Sequence, residues 1–200
     1  NEDYKMESQC INMLQAQHVG GIIHIVSVTT EKEKKTSIPT VYIDREPAYG
    51  NTKKDMVLIE SDNVSGGYQA TNEMIKKGCK NIALVHGPMR IKNISNRYNG
   101  YKYALEKHDL KLNENILFEG DMHIESGYNT MKKISEKNIS VDGILILNNF
   151  MTIGALEYVN NNNTELYNKY KIFGYDIPAY VHSLNPNFNY ITRSRKEMGI

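Results

Sequence analysis

The chain has 200 residues, of which 40% are hydrophobic, with 24 basic and 23 acidic side chains and a formal net charge of +1. That length and apolar content suffice for a core in one domain or two compact lobes and exclude a disordered or low-complexity chain, while the balanced charge leaves no field to hold a nucleic acid on these residues alone. No run of about 18 apolar residues offers a membrane span, Asn1 to Cys10 is too polar for a signal peptide, and Cys10 and Cys79 lie in no CxxC pair, which argues against a disulfide framework or zinc site and suits a reducing compartment.

Residues from about Asp3 to Gln17 read as a helix with Met6, Cys10, Met13 and Leu14 on one side. A helix is an unusual opening for an α/β sheet, so a strand is expected before it. Strands are expected at Gly21 to Val26, Thr40 to Ile43 and Met56 to Ile59, with the charged Glu31 to Lys35 run as a solvated connection. Val64, Tyr68, Thr71 and Ile75 recur at helical spacing and predict one core-facing stripe, with Asn63 as the cap, Lys76 and Lys77 near the carboxyl end, and Gly78 as the left-handed stop. After a strand at Ile82 to Val85, the stripe Ile94, Tyr98, Tyr101, Leu105 and His108 predicts a helix over Ile94 to His108. A strand at Ile116 to Phe118, a helix from about Ser126 to Lys137 and the apolar central strand Gly143 to Leu147 follow. Met151 to Asn160 reads as a helix, Asn160 to Asn163 as a polar loop, Lys171 to Tyr175 as a strand, Pro178 to Ser183 as a short helical turn, and Asn189 to Thr192 as a last strand. Arg195 to Ile200 stops where a new helix would begin, so more chain is expected after it. Alternating helices and strands define an α/β class with mostly parallel sheets flanked by helices, where ligands collect at the carboxyl ends of the strands.

The residues just past the strands are Asp44, His86, Asp121, Asn148 and Asp176. Any single Asp or Asn in such a place is more often a helix cap. Together, at equivalent ends of parallel strands, they would line one crevice suited to a small polar ligand. Arg97 stands near the start of its helix and offers a rigid fork of donors, so it could clamp two ligand oxygens; the plainer reading is a surface salt bridge, and alanine there should spare the fold. Gly100 allows close packing of that helix. No GxGxxG follows the first strand, no phosphate-binding loop or nucleophile elbow is present, and the histidines form no HExxH, so neither an enzyme nor a metal centre is expected. On the same ground His86, His123 and His182 read as loop or packing residues.

Val41-Tyr42-Ile43-Asp44-Arg45, Asp62-Asn63 with Gly66-Gly67-Tyr68, Gly78 to Ala83, Gly87-Pro88, Arg97 with Gly100-Tyr101, Asp121 with Glu125-Ser126-Gly127-Tyr128, Met151 with Ile153-Gly154-Ala155-Leu156, and Gly174-Tyr175-Asp176 occur in order along nearly the whole chain. In these residues the chain resembles the effector-binding core of the LacI/GalR family of bacterial transcription regulators. The resemblance implies a two-lobed, periplasmic-binding-protein-like fold with a ligand cleft between the lobes. Residues 1–60 with 193–200 would form an incomplete N-terminal lobe and 61–192 the C-terminal lobe. It implies a homodimer in the cytoplasm, with operator DNA read by a separate N-terminal helix-turn-helix head absent from this chain, and no cofactor, metal or membrane. It places Asp44, Arg97, Asn148 and Asp176 on a small-molecule effector, a sugar or sugar derivative, with His86 and Met122 beside them.

The sequence departs from the family pattern at Asn148-Asn149-Phe150, where Asn-Asp is usual, at Cys79-Lys80, where His with a basic residue is common, and at Arg193-Ser194, where Gln-Pro is frequent. Met122 stands where some sugar-binding relatives carry an aromatic ring, which favours hydrogen bonding to a sugar rim over stacking on its face. The function expected from the resemblance is an allosteric sensor in which ligand binding controls a DNA-binding head. The alternative is a periplasmic-type sugar-binding protein of a transport system, which shares the architecture.

Overall fold

The computed structural model describes residues 3–27, 36–47, 57–137, 139–162, 164–177, 181 and 188–192. The chain divides into two compact units, Asn1–Ser61 with Arg195–Ile200, and Asp62–Ser194.

In the first unit, helix α1 (Tyr4–Ala16) is capped by Asp3, whose carboxylate accepts from the Lys5 and Met6 amides. Three parallel strands, β1 (Ile22–His24), β2 (Thr40–Ile43) and β3 (Val57–Ile59), lie in sequence order. The inward face of α1 is Glu7, Ile11 and Leu14, whereas Met6, Cys10 and Met13 are exposed. The reason is polar: the Glu7 carboxylate bonds the His24 ring at 2.7 Å, and that tie sets the rotation of the helix on β1.

The second unit is a five-stranded parallel sheet in the order β5-β4-β6-β7-β8, with β4 at Ile82–His86, β5 at Leu117–Glu119, β6 at Gly143–Ile146, β7 at Lys171–Tyr175 and β8 at Asn189–Ile191. Its helices are α2 (Asn63–Lys76), α3 (Lys92–Lys107), α4 (Ile124–Glu136), α5 (Asn149–Asn162) and the short α6 (Leu166–Lys169), the last not anticipated from the sequence. Side chains alternate across a strand, so each central strand feeds two cores. Ile82, Leu84, Leu145, Leu147 and Phe173 pack with Met74, Tyr101 and Leu105, while Ala83, Val85, Ile144, Ile146 and Ile172 pack with Met131, Ile134 and Val159. Tyr101 spends its hydroxyl on the Ile82 carbonyl at 2.9 Å, and burial pushes the phenol's pKa up, with Tyr98 adding to the shift.

Helix α2 differs from its expected pattern in two ways. Asp62 is the cap, accepting from the Ser65 amide at 2.8 Å, while Asn63 is buried. The buried stripe is Asn63, Gly66, Gly67, Ala70, Thr71 and Met74, and Val64 is exposed. Small residues face inward because α3 approaches backbone to backbone. A Cβ on Gly67 would fall on the Arg97 carbonyl, and one on Gly100 would fall on the Val64 carbonyl. The α4–α5 pair repeats the device, with Gly127 against the Met151 carbonyl and Gly154 against the Ile124 carbonyl. Gly78 takes the left-handed conformation, φ 91°, and ends α2 as expected.

Other boundaries shift for local reasons. A 3-10 turn at Glu114–Ile116, held by the Asn113 side chain, moves β5 one residue later than the predicted strand. Asn160 to Asn162 continue α5 instead of forming a loop, and the Asn162 amide donates to the Tyr158 carbonyl at 2.9 Å and the Tyr128 hydroxyl at 3.2 Å. The predicted turn at Pro178 to Ser183 lies outside the described residues, apart from the buried Val181.

Candidate ligand site at the strand ends

In the second unit β5 lies on one side of β4 and β6 to β8 on the other, so the chain reverses direction across the sheet between β4 and β6. Connections to the left and right diverge at that point and open a crevice at the carboxyl ends of the two strands, where open α/β sheets bind ligands. His86 ends β4, Asn148 follows β6, Asp176 follows β7 and Asp121 follows β5 after Gly120, so all four stand along one edge of one sheet. Asp44 holds the corresponding place after β2 in the first unit.

Three of these chain turns are left-handed at residues with side chains: Asp44 at φ 68°, Met122 at 69° and Asp176 at 55°. The Asp44 amide donates to the Ile59 carbonyl at 2.8 Å, and the Asp176 amide donates to the Ile191 carbonyl at 2.6 Å. Each aspartate therefore extends the parallel ladder by one bond and then turns the chain sharply away. Aspartate is among the residues that tolerate this conformation; Met122 holds it at a cost of roughly 1–2 kcal/mol.

Arg97 is buried, not part of a surface ion pair. Its Nε donates to Asn63 Oδ1 at 2.8 Å, its Nη1 donates to the Leu147 carbonyl at 2.6 Å, and Cζ lies 3.8 Å from the centre of the Tyr175 ring. One side chain from α3 thus ties together α2, the end of β6 and the end of β7. The expectation that alanine spares the fold does not survive this placement, because truncation removes the donor that Asn63 Oδ1 and the Leu147 carbonyl now have.

Asn148 is used as a cap: its Oδ1 accepts from the Met151 amide at 2.9 Å, and its carbonyl accepts from the Thr152 amide and hydroxyl. His86 is buried with Nδ1 donating to the Gly87 carbonyl at 2.8 Å, which fixes the proton on that nitrogen. The Met122 side chain lies over Gly87, whose missing Cβ leaves room for it. Asp121 is exposed, and the Ser126 hydroxyl and His123 amide hold its carboxyl below the usual range. His123 is exposed, and His182 lies outside the described residues.

The edge thus gathers His86, Arg97, Asn148 and Asp176 as buried polar groups, with Met122 half-buried beside Gly87 and Asp121 outside the group. The sequence reading missed Asn63 and Tyr175, the two side chains that hold Arg97. Asn63 carried only a faint signal: Asp62 beside it is as good a cap, so the Asn63 amide need not have been the one to serve. These groups donate and accept hydrogen bonds, which suits binding a polar molecule. Among the described residues no cluster of three or more His, Cys, Asp or Glu is placed to hold a metal ion, and no helix is long and apolar enough to cross a membrane.

Two parallel sheets flanked by helices, each strand end leading into a loop or helix on the same side, make this an α/β protein with the architecture of periplasmic-binding-protein-like domains. The profile of the periplasmic binding protein domain family matches residues 2–181, and the chain belongs to that family. It is 26% identical over 195 residues to the transcriptional repressor PurR of Histophilus somni (strain 2336), a match covering 95% of this chain and 57% of the repressor. The chain therefore spans little more than half the length of such curated relatives. A crystal structure of a transcription regulator from Staphylococcus saprophyticus superposes with a TM-score of 0.85 at 25% identity, over 99% of this chain and 73% of that one. The complex of the regulator CelR with cellobiose gives a TM-score of 0.82 at 23% identity, over 98% and 61%. The resemblance to LacI-type regulators thus runs through the chain.

Proposed function

We propose that this chain is the effector-sensing core of a LacI-type transcriptional regulator, which binds a small polyhydroxylated molecule, a sugar or its derivative, and so controls a separate DNA-reading head. The observation that carries the reading is the buried guanidinium of Arg97 beside Asn148 and Asp176 at the reversal point of a parallel sheet. A cation with a rigid fork, a carboxylate and an amide offer donors and acceptors in the mixture that sugar hydroxyls need. His86 and Met122 complete that edge, and Asp44 stands at the equivalent strand end of the first unit. CelR is a regulator of the same fold that holds a sugar, which supports the ligand class. No bond is made or broken in this role: the ligand acts by its different affinity for two states of the protein. The protein works as a homodimer in the cytoplasm, since a two-fold operator is read by a two-fold protein. The regulator relatives favour this reading over a transport-system binding protein.

The test is calorimetric titration of the chain with D-ribose, D-glucose and cellobiose, repeated on Asp176→Ala and Arg97→Lys. Arg97→Lys keeps the charge and loses the fork. Loss of a charge-assisted hydrogen bond worth roughly 1.5–3 kcal/mol should weaken the bound sugar at least about tenfold in each variant. Unchanged affinity in both folded variants would remove these residues from the ligand.

A further inference from the structure

We propose that Asn63, Gly66 and Tyr175, none of which belongs to the ligand set above, are positioning residues that fix the Arg97 guanidinium at the strand ends. The inference rests on the reading of Arg97 as a ligand group. A planar fork is set in space by two in-plane hydrogen bonds and one stacked face. Arg97 has all three: Asn63 Oδ1 on Nε at 2.8 Å, the Leu147 carbonyl on Nη1 at 2.6 Å, and the Tyr175 ring 3.8 Å beneath Cζ. The supports are themselves buried, Asn63 at 2% exposure and Tyr175 at 1%, so neither has room to drift.

The same turn of α2 supplies two of these constraints. Asn63 and Gly66 are three residues apart and lie on one face of the helix. Asn63 accepts from Arg97, and Gly66 leaves the slot that admits the Tyr175 hydroxyl, since a Cβ there would fall on it. Tyr175 is thus held between Gly66 and the guanidinium, closing a circuit from α2 through β7 to α3 and back. Because β7 runs directly into the left-handed Asp176, a displaced Tyr175 would also move that carboxylate. The circuit makes the direction of the cation a property of the fold, which saves the ligand the entropy of ordering a long side chain.

The experiment has two arms. The first follows the Arg97 Nε–H signal by nuclear magnetic resonance and measures its exchange with water in the chain without ligand. In the wild type it should exchange at least about tenfold more slowly than a solvent-exposed arginine; Asn63→Ala should remove that protection, and Asn63→Asp, which keeps the acceptor oxygen, should restore it. Gly66→Ala, which leaves Asn63 intact, should shift the signal by pushing the Tyr175 ring away. A wild-type signal exchanging like free arginine overturns the proposal whether or not the variants fold, and so does full protection in folded Asn63→Ala.

The second arm titrates D-ribose, D-glucose and cellobiose into the same proteins. The sugar that the wild type binds should bind Asn63→Ala at least about tenfold more weakly, with affinity recovered in Asn63→Asp; a purely structural role would lower the melting temperature and leave affinity in place. Equal affinity in wild type and folded Asn63→Ala overturns the positioning role. If the wild type takes none of the sugars, the ligand class proposed above fails, and the exchange arm still decides whether Asn63 and Gly66 fix Arg97.

Discussion

The helix pairs α2–α3 and α4–α5 of the larger unit are built on one plan and put to different uses. In each, a glycine of one helix rests on the carbonyl of the residue three before the glycine of the other: Gly67 on Arg97 and Gly100 on Val64, then Gly127 on Met151 and Gly154 on Ile124. Arg97 and Met151 therefore hold equivalent places. Arg97 carries a cation to the ends of β6 and β7, whereas Met151 lays its sulfur over Gly120 and closes an apolar core. Backbone contact fixes the approach of the helices in both pairs, so the side chain at that place does not determine the packing distance. One copy of the place is thereby available to carry a buried cation.

The largest effects should come from the glycines. Gly67→Ala, Gly100→Ala, Gly127→Ala and Gly154→Ala each add a methyl that meets the facing backbone, and should cost about 1–3 kcal/mol in urea melts although alanine is about 1 kcal/mol better than glycine within a helix. The sign is the test: a variant that gains stability shows that its helix pair is not held by backbone contact. Gly67→Ala and Gly100→Ala should be non-additive, because either one separates the same two helices. Gly67→Ala and Gly127→Ala should add within about 0.5 kcal/mol, having no shared partner.

Replacing each of the two central side chains should give the next largest effect, and an unequal one. Arg97→Met puts onto one pair the residue of the other, and leaves Asn63 Oδ1 and the Leu147 carbonyl without the donor they now have, a loss of about 1–3 kcal/mol. Met151→Leu conserves volume in an apolar setting and should cost less than about 1.5 kcal/mol. Chemical denaturation of both variants decides the matter. Equal losses would mean that Arg97 serves only as filling, as Met151 does.

Two strands were legible from sequence with their boundaries: Thr40 to Ile43, set between Pro39 and Asp44, and Lys171 to Tyr175, which ends at Asp176. Residues at the strand ends were legible too, because Asp or Asn after an apolar run marks a strand-to-loop turn wherever it occurs. The face of α2 was not. Val64 and Tyr68 dominate any hydrophobic pattern, yet the buried stripe is built from Gly66, Gly67 and Ala70, whose burial depends on a second helix that no local pattern describes. The environment of Arg97 was hidden for a related reason: its acceptors lie 34 and 50 residues away in sequence. A cation so placed reads locally as a surface residue, and its burial follows only from the close approach that the glycines permit.

The smallest expected effect concerns how α4 starts. Asp121 lies ahead of that helix, where the Ser126 hydroxyl and the His123 amide hold its pKa below the ordinary carboxylate value, as the nearby His123 also does to a lesser degree. A depressed carboxylate contributes stability that is present above the unfolded-state value, near 3.9, and is lost as the pH falls through the still lower folded value. Asp121 is exposed, so solvent screens the interaction and the contribution is small. Melting temperatures of wild type and Asp121→Asn should therefore differ slightly at pH 7 and converge in acid below the ordinary aspartate range. Asparagine keeps a side-chain oxygen that can accept from the His123 amide, so the geometry of the turn is preserved and charge alone is removed. A gap between the two proteins that stays constant from neutral to strongly acid pH would show that the charge of Asp121 has no part in holding the start of α4.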